Sequence, residues 1–140
     1  MNRSFLLFCF CFVGAGCIGA GGGPAADQDV VPVFDAVLKH EFPDPKQPDS
    51  LFLFVDGKDP EPKVLEKLGK PWPMLQPGSK VPEKGPATRV SLSEVKFSGR
   101  DAVELSVGVS NGKDGRLQHF WMSRKDGKWV VDKTKVEATS

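Results

Sequence analysis

Residues 120–131 read FWMSRKDGKWVV, and this stretch predicts a β-hairpin. Its centre, Asp126-Gly127, is a dipeptide typical of the two-residue hairpin turn, and apolar-rich runs flank it on both sides. A two-residue turn at this point places Met122 opposite Val131. Because side chains alternate across a strand, one face of the hairpin then carries a common set of side chains. These are Phe120, Met122, Arg124, Trp129 and Val131.

Alternating residues upstream of this hairpin predict more strands of the same sheet. Residues 103–109 place an apolar side chain at every second position, as a half-buried strand does. Residues 90–97 also alternate, but the phase changes in the middle, which predicts a β-bulge near Ser93-Glu94. With turns at 98–101 and after Asn111-Gly112, the last third of the chain is expected to be a four-stranded antiparallel meander.

The segment before the meander has helical and buried-strand patterns. Residues 29–42 carry apolar side chains at helical spacing, with Asp29 as a cap and Pro32 near the start. The apolar run Leu51–Val55 predicts a strand covered on both faces. Asp59-Pro60 is expected to open a short second helix that ends at Gly69.

Five prolines in residues 70–86 predict an extended connection. The fold class is therefore α+β, in which an N-terminal helix, a strand and a short helix pack on the four-stranded antiparallel C-terminal meander.

The first 26 residues have the three-part layout of a secretory signal: Arg3, an apolar run over residues 5–13, then small residues. The run is shorter than the roughly 20 apolar residues that span a bilayer. Cys17, preceded by Gly14-Ala15-Gly16, resembles a bacterial lipobox, although Gly14 stands where leucine is usual. Lipidation at Cys17 and ordinary signal-peptidase cleavage after Ala20 or Ala26 are the two alternatives. Residues 27–140 then form one extracytoplasmic domain, periplasmic or secreted.

Composition excludes several classes of function. The formal net charge is +1, which is not the basic excess of a nucleic-acid binder. All three cysteines lie within residues 9–17, so the mature domain folds without disulfides. Two histidines and no cysteine in that domain do not suggest a metal site, and no phosphate-binding or serine-nucleophile motif indicates a cofactor or a catalytic triad. The only expected membrane contact is a lipid anchor at Cys17.

The hairpin at residues 120–131 resembles the closing hairpin of nuclear-transport-factor-2-like, or cystatin-like, domains. The order of helix, strand, short helix and antiparallel sheet over residues 29–136 is similar too. Such folds usually have two or three helices before the main sheet, whereas here a strand follows the first helix. The resemblance implies a curved sheet and a helix enclosing a pocket, in a family that includes enzymes, ligand binders and pocketless interaction modules.

Three side chains are candidates for the ligand site. His119 shares a strand face with Leu117 and Trp121, where it could act as a general base or contact a ligand. Trp121 lies beside it, and Trp72, between two prolines, is the aromatic residue expected at a pocket rim or a partner surface. The structural alternatives are a sheet-surface histidine for His119 and a lid over the core for Trp72.

Four further ionisable residues have a structural explanation in the sequence. His40 is expected at the end of the first helix, where a histidine favours the helix dipole. Asp35, Glu41 and Asp56 could act as acid or base if a pocket surrounds them, and the structural alternative for Asp56 is that it starts the turn at Gly57. Asp35 falls on the polar side of the helix, so we expect it to be exposed.

The absence of a catalytic constellation favours a non-catalytic binding or interaction module, whose ligand is a small molecule or a protein. The alternative is a small pocket enzyme of the isomerase or dehydratase type, with His119 or a carboxylate as base. A cystatin-like peptidase inhibitor ranks last, because the sequence has no Gln-x-Val-x-Gly segment.

Overall fold

The computed structural model describes residues 29–44, 48–85 and 87–140, and these form a mixed α+β domain. The predicted signal segment, residues 1–26 with Cys17, lies outside the described residues. Two helices and a six-stranded sheet follow in the order α1 (Val31–Glu41), β1 (Leu51–Val55), α2 (Pro62–Gly69), β2 (Leu75–Pro77), a short 3₁₀ helix (Gly78–Lys80), β3 (Thr88–Phe97), β4 (Ala102–Asn111), β5 (Asp114–Lys125) and β6 (Lys128–Thr139).

The four C-terminal strands form the predicted antiparallel meander. In the closing hairpin Met122 pairs with Val131 and Arg124 with Trp129, as the two-residue turn requires. The register of β3 against β4 shifts between Ser93 and Lys96, which confirms the predicted bulge. Within the bulge Glu94 has a φ of 53°, a left-handed conformation that only a local irregularity of the strand accommodates.

The sheet has two more strands than the sequence predicts. We expected β1 to pack with the helices on the meander, but β1 is hydrogen-bonded within the sheet, in the order β2-β1-β3-β4-β5-β6. It runs parallel to β3, with Leu53 opposite Val90. The connection from β1 to β3 is long enough for this parallel crossover because it contains α2 and β2.

The proline-rich segment is more ordered than the predicted extended connection. Three of its residues form β2, a parallel edge strand in which Pro77 lies opposite Leu53. Proline is tolerated there because β2 is the edge of the sheet. The 3₁₀ helix then packs on β1 so closely that a Cβ atom added at Gly78 would overlap the ring of Phe54.

The first helix lies within its predicted bounds, and the start of the second differs. Asp29 accepts a hydrogen bond from the backbone N–H of Val31 at 3.0 Å, but it precedes the N-cap residue of α1, which is Val30 and has no side-chain capping bond. Asp59 does not cap α2, which begins at Pro62. Its carboxylate instead accepts bonds from the backbone N–H and the hydroxyl of Ser79, at 2.7 and 2.6 Å. These two bonds favour the charged form and lower the pKa of Asp59.

One hydrophobic core lies between the two helices and one face of the sheet. Helix α1 contributes Val33, Phe34, Val37 and Leu38, and α2 contributes Leu68. The sheet contributes alternate residues, among them Leu51, Leu53, Val90, Leu92, Val103, Leu105, Val107, Phe120 and Met122. Since successive side chains of a strand point to opposite faces, the residues between these positions lie on the other side of the sheet.

Candidate functional site

The outer face of the sheet, the side opposite the two helices, carries a distinctive set of side chains. We define it by the residues that alternate with the core positions of β3 to β6. They are Arg89, Ser91, Ser93, Lys96, Glu104, Ser106, Gly108, Ser110, Leu117, His119, Trp121, Ser123, Lys133 and Lys135. Most are small, hydroxylated or charged, so this face is not a second core.

Four of these side chains form a cluster around an aromatic ring, the His119 cluster: Glu104, His119, Trp121 and Lys133. Nε2 of His119 lies 3.2 Å from Oε1 of Glu104. The imidazole meets the Trp121 ring edge-to-face, with 4.4 Å between centroids, and Nζ of Lys133 lies 4.9 Å from the same ring. The side chain of His119 is 20% exposed. Two predicted site residues, His119 and Trp121, are therefore in direct contact.

Next to this cluster the outer face forms an open concavity of about 360 Å³, which we call the sheet concavity. Small residues of adjacent strands line it, and the side chains of Phe54 and Leu117 add apolar surface. Gly108 lies between them, where an added Cβ would be 3.6 Å from Cβ of Ser91 and 3.8 Å from Cδ1 of Leu117. Both distances are ordinary van der Waals contacts, so the concavity depends on the missing side chain at Gly108.

Arg89 is a cation of the sheet concavity whose side chain has no partner in the part of the chain that the structure describes. Its neighbour Arg116 also lines the concavity, but Nη2 of Arg116 donates to Oε2 of Glu41 at 3.0 Å. The guanidinium of the half-buried Arg89 has no hydrogen bond or ion pair to any residue that the structure describes. The lining side chains include serine hydroxyls and no carboxylate. A guanidinium in these surroundings is available to an incoming anion.

Trp72, the third predicted site residue, lies in the core and not on a rim. It is 3% exposed, and its Nε1 donates a hydrogen bond to Oδ1 of Asp35 at 2.9 Å. Asp35 was expected in solvent, but it is half-buried by this bond and by an ion pair of 2.8 Å to Lys39. Asp35 is partly buried because the N–H of a buried tryptophan requires a hydrogen-bond acceptor, and the Asp35 carboxylate provides it. Trp72 therefore does not contribute to the outer face.

Glu41 is more buried than its position at a helix end suggests. Its side chain is 4% exposed, and besides Arg116 it accepts a bond of 2.6 Å from Nε2 of Gln118. His40, beside it, packs edge-to-face on Phe120 at 5.3 Å. These contacts join the end of α1 to β5. Asp56 lies in the predicted turn after β1, with a φ of 53°.

Two further concavities lie at the flanks of α1. One, of about 620 Å³, lies between α1 and the β5–β6 hairpin. Its aspartate, Asp35, is already bonded to Trp72 and Lys39. The other, of about 470 Å³, adjoins the end of α1 and includes the paired Glu41 and Arg116. None of these three concavities includes His119.

Among the described residues, no group of three or more histidine, cysteine, aspartate or glutamate side chains is arranged to hold a metal ion. No helix within residues 29–44, 48–85 or 87–140 is long and apolar enough to cross a membrane. No family model, curated protein or solved structure matches this chain.

Two residues that define the sheet concavity, Arg89 and Gly108, were not among the residues predicted for the site. Arg89 stands at the start of β3 between the buried residues Thr88 and Val90, and nothing in these neighbours reveals whether its side chain has a partner. Gly108 had a detectable signal. It lies within a strand and not in a turn. The neighbouring positions of β4 on the same face, Ser106 and Ser110, are also small. When a strand has small residues on just one of its faces, this pattern indicates that another group approaches that face closely.

Proposed function

We propose that this chain is an exported, non-catalytic binding module that holds its ligand on the outer face of the sheet. The observation that carries the proposal is the sheet concavity, which lies opposite the core and is lined by apolar and hydroxyl groups around an unpaired arginine. Ligand sites are typically concave and largely apolar, with a few polar groups that fix orientation. Export is supported by the signal-like residues 1–26, and a lipid anchor at Cys17 would hold the module at a membrane.

The packing on the helix side of the sheet also supports placing the ligand on the outer face. The helix side carries the fully buried residues of the core, including Phe34, Leu105 and Phe120. Close-packed interiors leave little room for a ligand. The outer face, in contrast, displays Leu117 at 40% exposure beside the concavity. A ligand that covers this leucine removes apolar surface from water, which favours binding.

The second candidate is a small pocket enzyme, and the contact between His119 and Glu104 favours it. A carboxylate that bonds one imidazole nitrogen can orient the ring and leave the other nitrogen to take a proton. However, the two side chains lie beside the sheet concavity and not within it. An enzyme of this kind needs a cavity around the base, so we place binding first.

One screen tests both candidates. The ¹⁵N-labelled domain, residues 27–140, is mixed with a library of small neutral and charged fragments, and amide shifts are mapped while the fragment spectra are followed for conversion. We expect hits to shift the amides of Ser91, Ser110 and Leu117, with no fragment consumed. Hits confined to the flanks of α1 would contradict the proposed surface. Turnover that is lost in His119→Gln would establish the enzyme instead.

A further inference from the structure

The unpaired state of Arg89 specifies the chemistry of the ligand. A buried or half-buried arginine in a folded protein is normally paired, because an unpaired charge loses hydration without compensation. Glu41 provides this compensation for Arg116, the other arginine at the concavity. The cross-strand neighbours of Arg89 are Phe52 and Ser110, and neither is an acid. No described residue supplies a partner for the Arg89 side chain, so an anion from solution can take that place.

The groups around Arg89 favour an oxyanion. A guanidinium offers parallel N–H donors that match the two oxygens of a carboxylate. The hydroxyls of Ser91 and Ser110 line the same concavity and have no hydrogen-bond partner among the described residues, so they can donate to the same anion. No aspartate or glutamate lines the concavity, and the main-chain carboxylate of Ser140 lies at its far side, three strands across the sheet from Arg89. Since Glu41 neutralises Arg116, Arg89 is the cation that, among the described residues, remains for a single negative charge.

The rest of the concavity limits the size and polarity of the ligand. Phe54, Leu117 and Ala138 offer apolar surface beside the arginine. The volume of about 360 Å³ is at the lower end of the range of roughly 300–1,000 Å³ that is typical of small-molecule sites. This space suits a body of one or two rings, or a short branched chain, and not an extended polymer.

We infer that the sheet concavity binds a small amphipathic carboxylate, with its carboxylate on Arg89 and its apolar body against Phe54 and Leu117. This inference rests on the proposed function and adds the class of ligand to it. Arg89 is a recognition residue here, and its substitution leaves no buried partner without a bond. Variants at this position therefore keep the fold, and a loss of binding can be assigned to the site.

The test compares 2-naphthoate with 2-naphthamide, two probes of nearly the same shape that differ in charge. Dissociation constants come from amide shifts of the domain, residues 27–140, at neutral pH and low salt. We expect the wild-type domain to bind naphthoate about tenfold more tightly than naphthamide, as is typical of a hydrogen bond to a charged group. Arg89→Gln should abolish this preference, and Arg89→Lys should keep part of it. Arg100→Gln, the same substitution at an exposed arginine of the β3–β4 turn, should leave it unchanged.

The outcomes separate the ligand class from the binding surface. Equal binding of both probes at Ser91 and Ser110 would overturn the carboxylate inference and leave the proposed function intact. Preference for naphthoate that survives in Arg89→Gln would also overturn it, since another cation would then hold the anion. Failure of both probes to bind, while neutral fragments still shift the concavity amides, would refute the inference alone. A screen in which no fragment binds the concavity would refute the proposed function as well.

Discussion

Replacement of Leu105 by alanine is expected to lower the free energy of unfolding by about 3–5 kcal/mol. Leu105 is 0% exposed at the centre of β4, in the core below α1. Its truncation removes apolar burial and leaves a cavity that the close-packed neighbours cannot fully close. Because domains of this size have a total stability of roughly 5–15 kcal/mol, the variant should be close to unfolding. Urea denaturation followed by circular dichroism measures the change.

The matched control is Leu117→Ala, the same truncation on the adjacent strand. Leu117 is 40% exposed on the outer face, so its loss should cost less than about 1 kcal/mol. The pair tests whether the core lies on the side of the sheet that we assign. Equal destabilisation by the two substitutions would mean that the outer face is a second packed layer, and the binding surface would not exist.

Replacement of Glu41 by alanine is expected to cost about 2–3 kcal/mol, although the residue is charged and lies at a helix end. Its carboxylate, 4% exposed, joins α1 to Arg116 and Gln118 of β5. The variant leaves the buried Gln118 amide without its acceptor, while the half-exposed Arg116 recovers part of its hydration. Glu41→Gln keeps an acceptor oxygen for Gln118 and should therefore recover about half of the loss. Thermal and urea unfolding measure both variants.

Glu66→Ala is the control for the Glu41 variants. Glu66 is also a helical glutamate, but it is exposed on α2, and its substitution should change stability by less than about 0.5 kcal/mol. If Glu41→Ala were as mild as Glu66→Ala, the contacts between α1 and β5 would not stabilise the domain. Arg116 would then be free for a ligand, and the single-charge argument for the concavity would lose its basis.

The local part of the fold could be predicted from the sequence. The Asp126-Gly127 turn fixes the pairing of Met122 with Val131, and the change of phase within residues 90–97 locates the bulge. Both features depend on neighbouring residues of one chain segment, so periodicity and turn chemistry suffice. The apolar face of α1 was predicted for the same reason.

Long-range contacts could not be predicted in this way. The apolar run of β1 indicates a buried strand but not its partner, and its pairing with β3 joins segments more than thirty residues apart. Likewise Asp59 was interpreted as a helix cap, but it bonds Ser79 across twenty residues. Trp72 was expected at a rim and is held in the core by Asp35. A carboxylate can satisfy a local or a distant donor equally well, and only the tertiary fold decides between them.

The sequence predicted a pair of side chains on the outer face but not the sheet concavity beside them. Alternation along β5 placed His119 and Trp121 on one face, and the structure shows their rings in contact. The net charge of the sheet concavity depends instead on which arginine forms an ion pair with a carboxylate in the folded domain. Arg89 lies on the outer face opposite Ser110, whereas Arg116 lies opposite Val109 on the helix side, where it reaches Glu41 of α1.

The most direct test of the outer-face proposal is the binding of fragments to Gly108→Val. The valine side chain would fill the sheet concavity, and its Cβ has room at 3.6 Å from Ser91. Valine also suits a strand, so the variant should be at least as stable as the wild type. We predict that fragments that shift the amides of Ser91 and Ser110 lose at least about tenfold in affinity, as a difference of 1.4 kcal/mol gives. Unchanged affinity in a folded Gly108→Val domain would contradict the account.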